Sequence, residues 1–298
     1  MAKDTDLLRR VTGFTAGFEA ERRYRPPTPA ERAVLTEGVS ALFDGNTDRA
    51  RTRLGEVGYR LDTFTDRPGG RRYAEVAEAS GGAAERGWGR VYAELGTPPR
   101  WSVQVPHPVA DRDTERLGVS VLRGAPGGVM VLAGAHREAG GSGDGSEGGS
   151  RGGAEGGEDD EGTGSRDPAD VAHRADSVFH AVVAELTRRG LPGVQLHGFA
   201  DSSVPGTGAV VSTGAGSAAA DDARRLAARL EDRGVEPCRA WAAACRLSGR
   251  TNEQGRLAAA HGTRFLHLEL SRSVRDDPRR RESAARAVSY VTRGWAGT

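Results

Sequence analysis

The chain has 298 residues, with 42 Lys and Arg against 41 Asp and Glu, 37% hydrophobic residues and 43 glycines. That length suits one large α/β domain or two smaller ones. No run of about 18 apolar residues occurs, which excludes a membrane-spanning helix. The first residues, MAKDTDLLRR, contain no apolar h-region, so the expected location is the cytoplasm, or outside the cell if the chain is a trimmed form.

The balanced charge hides an asymmetry. Residues 138–167 hold nine acidic and two basic residues among Gly and Ser, leaving 40 basic and 32 acidic residues in the rest. The body therefore carries a net charge of about +8. The 138–167 stretch cannot build a core and reads as a flexible surface insertion. A basic body suits an anionic small molecule or peptide as partner. The arginines are scattered rather than blocked, so no nucleic-acid partner is expected.

Residues 1 to about 55 read as helical. Leu7, Leu8, Val11 and Phe14 recur at helical spacing. Thr28 before Pro29, Ala30 and Glu31 is an N-cap signal, and Leu35, Val39 and Leu42 continue one apolar face. From about 56 to 105 the runs are short, partly alternating and separated by Gly and Pro, which predicts strands and hairpins. WSVQVPHPVADRDTERLG, Trp101 to Gly118, runs from a strand through Pro106 into His107 and a group of acids. VSVLRG follows, and then GVMVLAGAHRE, a strongly apolar strand over Val129–Ala133. A helix is predicted over DPADVAHRADSVFHAVVAELTRRG, with Phe179, Val182, Val183 and Leu186 as its stripe. His173, Ser177 and His180 fall on another stripe, either a wall of a cleft or a solvent face.

GVQLHGFAD and GAVVSTGAG predict two more strands. Helices are expected over Asp221–Arg233, around Trp241–Leu247, and over TNEQGRLAAAHG. FLHLELSR is the last strong strand, with Leu266, Leu268 and Leu270 on one face and Phe265, His267, Glu269 and Ser271 on the other. A terminal amphipathic helix carries Ala284, Val288 and Val291. Strands alternating with helices predict an α/β fold, a three-layer sandwich around a mixed, largely parallel sheet. The expected division is 1–99, helices and hairpins that are an accessory unit or part of the main sheet, and 100–298, a catalytic α/β domain. Cys238 and Cys245 are seven apart on a predicted helix, about 10 Å along its axis. That is too far for a disulfide, so reduced thiols are expected.

Four strand ends carry polar groups that a core would not select: His107, Arg137, His197 and Glu269. A buried carboxylate inside a strand is costly unless paired or functional. Two histidines and one acid form a zinc site with a position left for substrate. A further glutamate serves as general base, and an arginine holds an oxyanion or a carboxylate. The Gly/Ser-rich runs VVSTGAG and FADSSVPGTG lack the G-x-x-x-x-G-K-[ST] form. No strand ends in the G-x-S-x-G of a serine hydrolase.

The order PHP…TE, GAHR, LHGF, N-x-Q-G (Asn252–Gly255) and HLELSR resembles the zinc carboxypeptidase-like amidohydrolases, especially N-formylglutamate amidohydrolases and poly-gamma-glutamate hydrolases. The resemblance spans roughly residues 100 to 275. It implies a phosphorylase/hydrolase-like sandwich, one zinc, and hydrolysis of an amide in an acyl-amino-acid, glutamyl or peptide-like substrate. By position, His107 and His197 match the histidine ligands and Glu269 the catalytic glutamate. Arg137 is assigned to the oxyanion or a substrate carboxylate, and Arg272, His136 and Asn252 to substrate binding. The chain departs from H-x-x-E, because Ala110 holds the third position after His107. The acidic ligand is then Glu115, favoured for its longer reach, or Asp111. The alternative function is a non-catalytic protein of the same fold that holds an anionic ligand.

Overall fold

The computed structural model describes residues 3–79, 86–140 and 167–297. Most of the expected insertion, residues 141–166, lies outside them. Ten strands form one sheet: β1 (Lys3–Thr5), β2 (Tyr59–Asp66), β3 (Arg71–Glu78), β4 (Arg90–Glu94), β5 (Trp101–Val105), β6 (Gly128–Leu132), β7 (Gly193–Phe199), β8 (Ala209–Ser212), β9 (Pro237–Arg239) and β10 (Phe265–Ser271). Their order is β1-β2-β3-β4-β6-β5-β7-β10-β8-β9.

The fold is α/β with a mixed sheet, and the expectation of a largely parallel one is corrected. A parallel centre, β6-β5-β7-β10, is flanked by antiparallel ladders. These run through β2-β3, β3-β4 and β4-β6 on one side and β10-β8 on the other, with parallel partners at the edges β1 and β9. Connection length decides this. The tight turn at Arg67–Gly70 allows only an antiparallel return. The β5-to-β6 and β6-to-β7 crossovers each carry a helix, as a connection between parallel strands of one sheet requires. The hairpin strands β2–β4 continue the same sheet as β5–β10.

Helices α1 (Leu7–Thr15), α4 (Thr114–Gly124), α6 (Ala220–Glu231) and α9 (Pro278–Ala296) pack on one face with Val103, Val105, Val194, Leu196, Leu266, Leu268 and Leu270. The other face carries α2 (Pro29–Phe43), α3 (Thr47–Glu56) and α5 (Val178–Arg188). Thr28 caps α2 in a reciprocal box with Glu31, which satisfies two otherwise orphaned amides. A short helix, α7 (Glu253–Ala260), is capped by Asn252 and packs on α5 and β10. A five-residue turn of helix, α8 (Arg272–Asp276), leaves β10. Strand alternation puts the opposite side chains of the central strands on the α5/α7 side. Those are Ser102, Gln104, Gln195, His197, His267 and Glu269, all buried. A buried polar strip across the middle of a sheet is costly unless its groups are paired or functional. Among the described residues, no helix is long and apolar enough to cross a membrane.

Three local expectations are corrected. Thr114–Gly124, assigned to no element from the sequence, is helix α4, with Leu117, Val121 and Leu122 inward. Helix α5 starts at Val178 with Ser177 as its cap, and Val171–His173 is a separate 3-10 turn. His173 and His180 therefore share no stripe. No helix forms over Trp241–Leu247. Cys238 ends up 6.0 Å from Cys245, Cα to Cα, and the two form a disulfide. The helical spacing that ruled this bond out does not apply to a looped chain.

Candidate metal centre

The centre assembles where β5, β7 and β10 present their polar faces. Pro106 ends β5, and the chain turns so that the Asp111 N–H donates to the His107 carbonyl at 2.9 Å. Val109 and Asp113 adopt positive φ, 71° and 67°, an uncommon conformation for side-chain-bearing residues and a cost that marks a constrained turn. This turn brings the Asp111 carboxylate back onto its own histidine. Asp111 Oδ2 lies 3.3 Å from His107 Nδ1 and 3.5 Å from His197 Nδ1. The same oxygen accepts the Gly198 N–H at 3.2 Å. The two rings meet edge to face, 5.0 Å between centroids.

Both imidazoles are held from behind. His107 Nε2 is 2.8 Å from Asp170 Oδ1, and His197 Nε2 is 2.7 Å from Gln195 Oε1. Asp170 is fully buried and also accepts from Arg137 Nη2 at 3.0 Å, with His173 Nδ1 at 3.1 Å. Glu269 pairs in register with His197 across β10 and β7. His267 stacks on His197 at 4.6 Å, and its Nε2 is 4.0 Å from Glu269 Oε1.

Two groups of buried side chains here could hold a metal ion: His107, Asp111 and His197, and His197, His267 and Glu269. In each, the donor atoms lie within 4.8 Å of one another. The first group fits an ion closely. His107 Nδ1 is buried and makes no well-directed hydrogen bond, although it stands 3.3 Å from a carboxylate oxygen. A tetrahedron with bonds of about 2.0–2.2 Å has edges of about 3.3–3.6 Å, which matches both separations from Asp111. Nitrogen and oxygen donors backed by further acceptors are the usual composition of such a centre.

Electrostatics support the same arrangement. Burial and Arg137 push the His107 pKa down, but the Asp170 and Asp111 carboxylates outweigh them and raise it to about 9. Burial pushes Asp111 up, and the flanking His107 and His197 more than reverse this, holding it well below the carboxylate range. Asp170 is likewise held far down against its burial by His107, His173 and Arg137. His267 is kept neutral by burial, and then by the neighbouring histidines.

Of the residues expected from sequence, His107, His197, Glu269 and Asp111 converge, and Arg137 joins them through Asp170. Glu115 lies buried on α4 with one carboxylate oxygen lacking a hydrogen bond, outside both groups. Burial raises its pKa. His136 is half-buried on the loop after β6, its pKa lowered by burial. Arg272 turns onto Asp276 at 2.6 Å. Asn252 is buried with both ends of its amide engaged, to Gln195 and to the Gly255 N–H. Sequence reasoning missed Asp170 and Gln195. Gln195 alternates with His197 on β7, so the polar face of that strand was a usable signal. Asp170 carried none, because its partner His107 is remote in sequence. The chain matches no protein-family model, and no curated protein matches it in sequence.

Proposed function

We propose that the chain is a zinc-dependent hydrolase that cleaves an amide bond in an acyl-amino-acid, glutamyl or peptide-like substrate. His107, Asp111 and His197 hold the ion, and Glu269 is the general base. One observation carries this reading. Two imidazole Nδ1 atoms stand 3.3 and 3.5 Å from one carboxylate oxygen, and each ring is tied by Nε2 to an acceptor. Three such donors suit a catalytic zinc with one position left open.

When bound, zinc supplies a Lewis acid that polarises a carbonyl and lowers the pKa of water. The rest is done by side chains. Glu269 accepts the proton of the attacking water at a carboxylate oxygen and returns it to the leaving amine nitrogen. Asp170 holds both the His107 ring and the Arg137 guanidinium, so Arg137 stands beside the ligand set to meet an oxyanion or a substrate carboxylate. The resemblance to zinc carboxypeptidase-like amidohydrolases is supported by the mixed sheet and by Glu269 lying in register with His197. Asp111 then takes the acidic position, one residue later than in H-x-x-E.

The test is zinc titration together with an assay on N-formylglutamate, N-acetylglutamate and a γ-glutamyl peptide. Zinc-dependent turnover is expected. Glu269→Gln should keep its zinc and lose about 10²–10⁴-fold in kcat. Asp111→Asn should lose zinc, while Glu115→Gln keeps both zinc and turnover. A chain that binds no zinc, or that turns over undiminished as Glu269→Gln, overturns the reading.

A further inference from the structure

The two candidate metal groups share His197, so its ring nitrogens decide how many ions the centre takes and where. The answer is contained in a buried amide network behind the ring, anchored at two backbone groups whose polarity is fixed.

The first anchor is the Val171 carbonyl, which can only accept. Gln254 Nε2 lies 2.9 Å from it, so the nitrogen end of that amide is assigned, and Gln254 Oε1 must face the other way. What it meets is Gln195 Nε2, at 3.1 Å. The second anchor is the Gly255 N–H, which can only donate. It sits 2.9 Å from Asn252 Oδ1, so Asn252 Nδ2 must be the end directed at Gln195 Oε1. Gln104 agrees with both, accepting Gln195 Nε2 at Oε1 and directing its own Nε2 at Ser102 Oγ, each at 3.1 Å. Each backbone anchor leads to the same orientation of Gln195, with its oxygen toward His197. An amide oxygen has no proton to donate. His197 Nε2, 2.7 Å away, must therefore carry one, and the lone pair of the neutral ring lies at Nδ1.

We infer that Gln195 is a positioning residue that locks His197 as the Nε2–H tautomer, and that this restricts the centre to one ion, held by His107, Asp111 and His197. With Nε2 occupied, His197 offers a single lone pair, at the nitrogen 3.5 Å from Asp111 Oδ2. A second ion at His197, His267 and Glu269 would have to share that one nitrogen or displace Gln195. Displacing it would strand Asn252 Nδ2 and break amide contacts among fully buried groups, each costly to leave unpaired. The N-x-Q-G run acquires a role on the same terms. Asn252 and Gln254 are the two clamps that orient Gln195. The statement about ion number rests on the metal reading above, whereas the tautomer does not.

Two measurements separate these parts. Long-range proton–nitrogen correlation spectra of the metal-free protein, at alkaline pH where imidazoles are neutral, report the tautomer directly, with His197 assigned against His197→Gln. A proton on Nε2 is expected, and a proton on Nδ1 or a mixture overturns the role of Gln195. Gln195→Leu should scramble this signature and weaken zinc binding by about 10–100-fold. Gln195→Glu, which keeps an acceptor toward Nε2, should restore the signature. Calorimetric titration with zinc should return one ion per chain for the wild type and for His267→Ala. Two ions in the wild type, or loss of the tight site in His267→Ala, overturns the single-ion assignment. If no zinc binds at all, the metal reading fails while the spectra still judge Gln195.

Discussion

His107 sits between two carboxylates, Asp111 on Nδ1 and Asp170 on Nε2, and its pKa of about 9 has two opposite consequences. In the metal-free protein a raised histidine pKa stabilises the fold. That contribution is complete below the unfolded value of about 6.5 and is lost as pH rises through about 9. A metal ion needs the neutral ring, so it must displace the same proton. Zinc affinity should therefore rise about tenfold from pH 7 to pH 8 and level off above about pH 9. Competition titrations against a chelator check this, and an affinity flat across that range would remove His107 from the ligand set. The residue scale also explains the choice between the two acids. Side-chain reach favours Glu115, but the turn at Val109 and Asp113 brings Asp111 onto the two histidines, and Glu115 stands outside both ligand groups.

At the scale of elements, the loop between β9 and α7 supports the histidine stack from outside. Gly249 has φ 63°, and a Cβ there would overlap the His267 ring. Gly249→Ala should cost about 1–3 kcal/mol through backbone strain and displaced packing. Thermal unfolding of the metal-free protein checks this, and an unchanged melting temperature would show that the loop does not press on the ring. Strands and helices were largely legible in the sequence, because their signals are local. The β10 alternation of Leu266, Leu268 and Leu270 against His267 and Glu269 is a period of two in adjacent residues, and Thr28 with Glu31 is a cap within one turn. The failures share a cause. Ala240–Cys245 is rich in helix formers, yet the Cys238–Cys245 bond closes it into a loop. Thr114–Gly124 has the spacing of a helix, but its one acid, Glu115, reads in sequence as a metal ligand and not as part of a first turn.

The whole molecule is organised by one sheet. β4 pairs with β6 through Val91–Val131 and its neighbours, and the second core joins Leu35, Val39 and Val76 to Val129, Phe179 and Val183. A fragment of residues 100–298 would expose the edge of β6 and half of that core. It should be insoluble or unfolded when expressed alone, since such an edge invites pairing with other chains. A soluble fragment with native circular dichroism and zinc binding would show that the first 99 residues are dispensable to the fold.

The sequence by itself determined the α/β class, the apolar face of β10, and the presence of His107, His197 and Glu269 in or just after apolar strands. Each of these follows from residues a few positions apart. Only the tertiary structure decided which acid faces the histidines, that Asp170 and Gln195 stand behind them, and that Cys238 bonds Cys245. Those outcomes depend on where side-chain tips meet after distant strands pair, and no periodicity within a segment encodes such a meeting. The Asp111 carboxylate lies against a ring carried by another strand, and sheet register, not spacing along the chain, brings the two together.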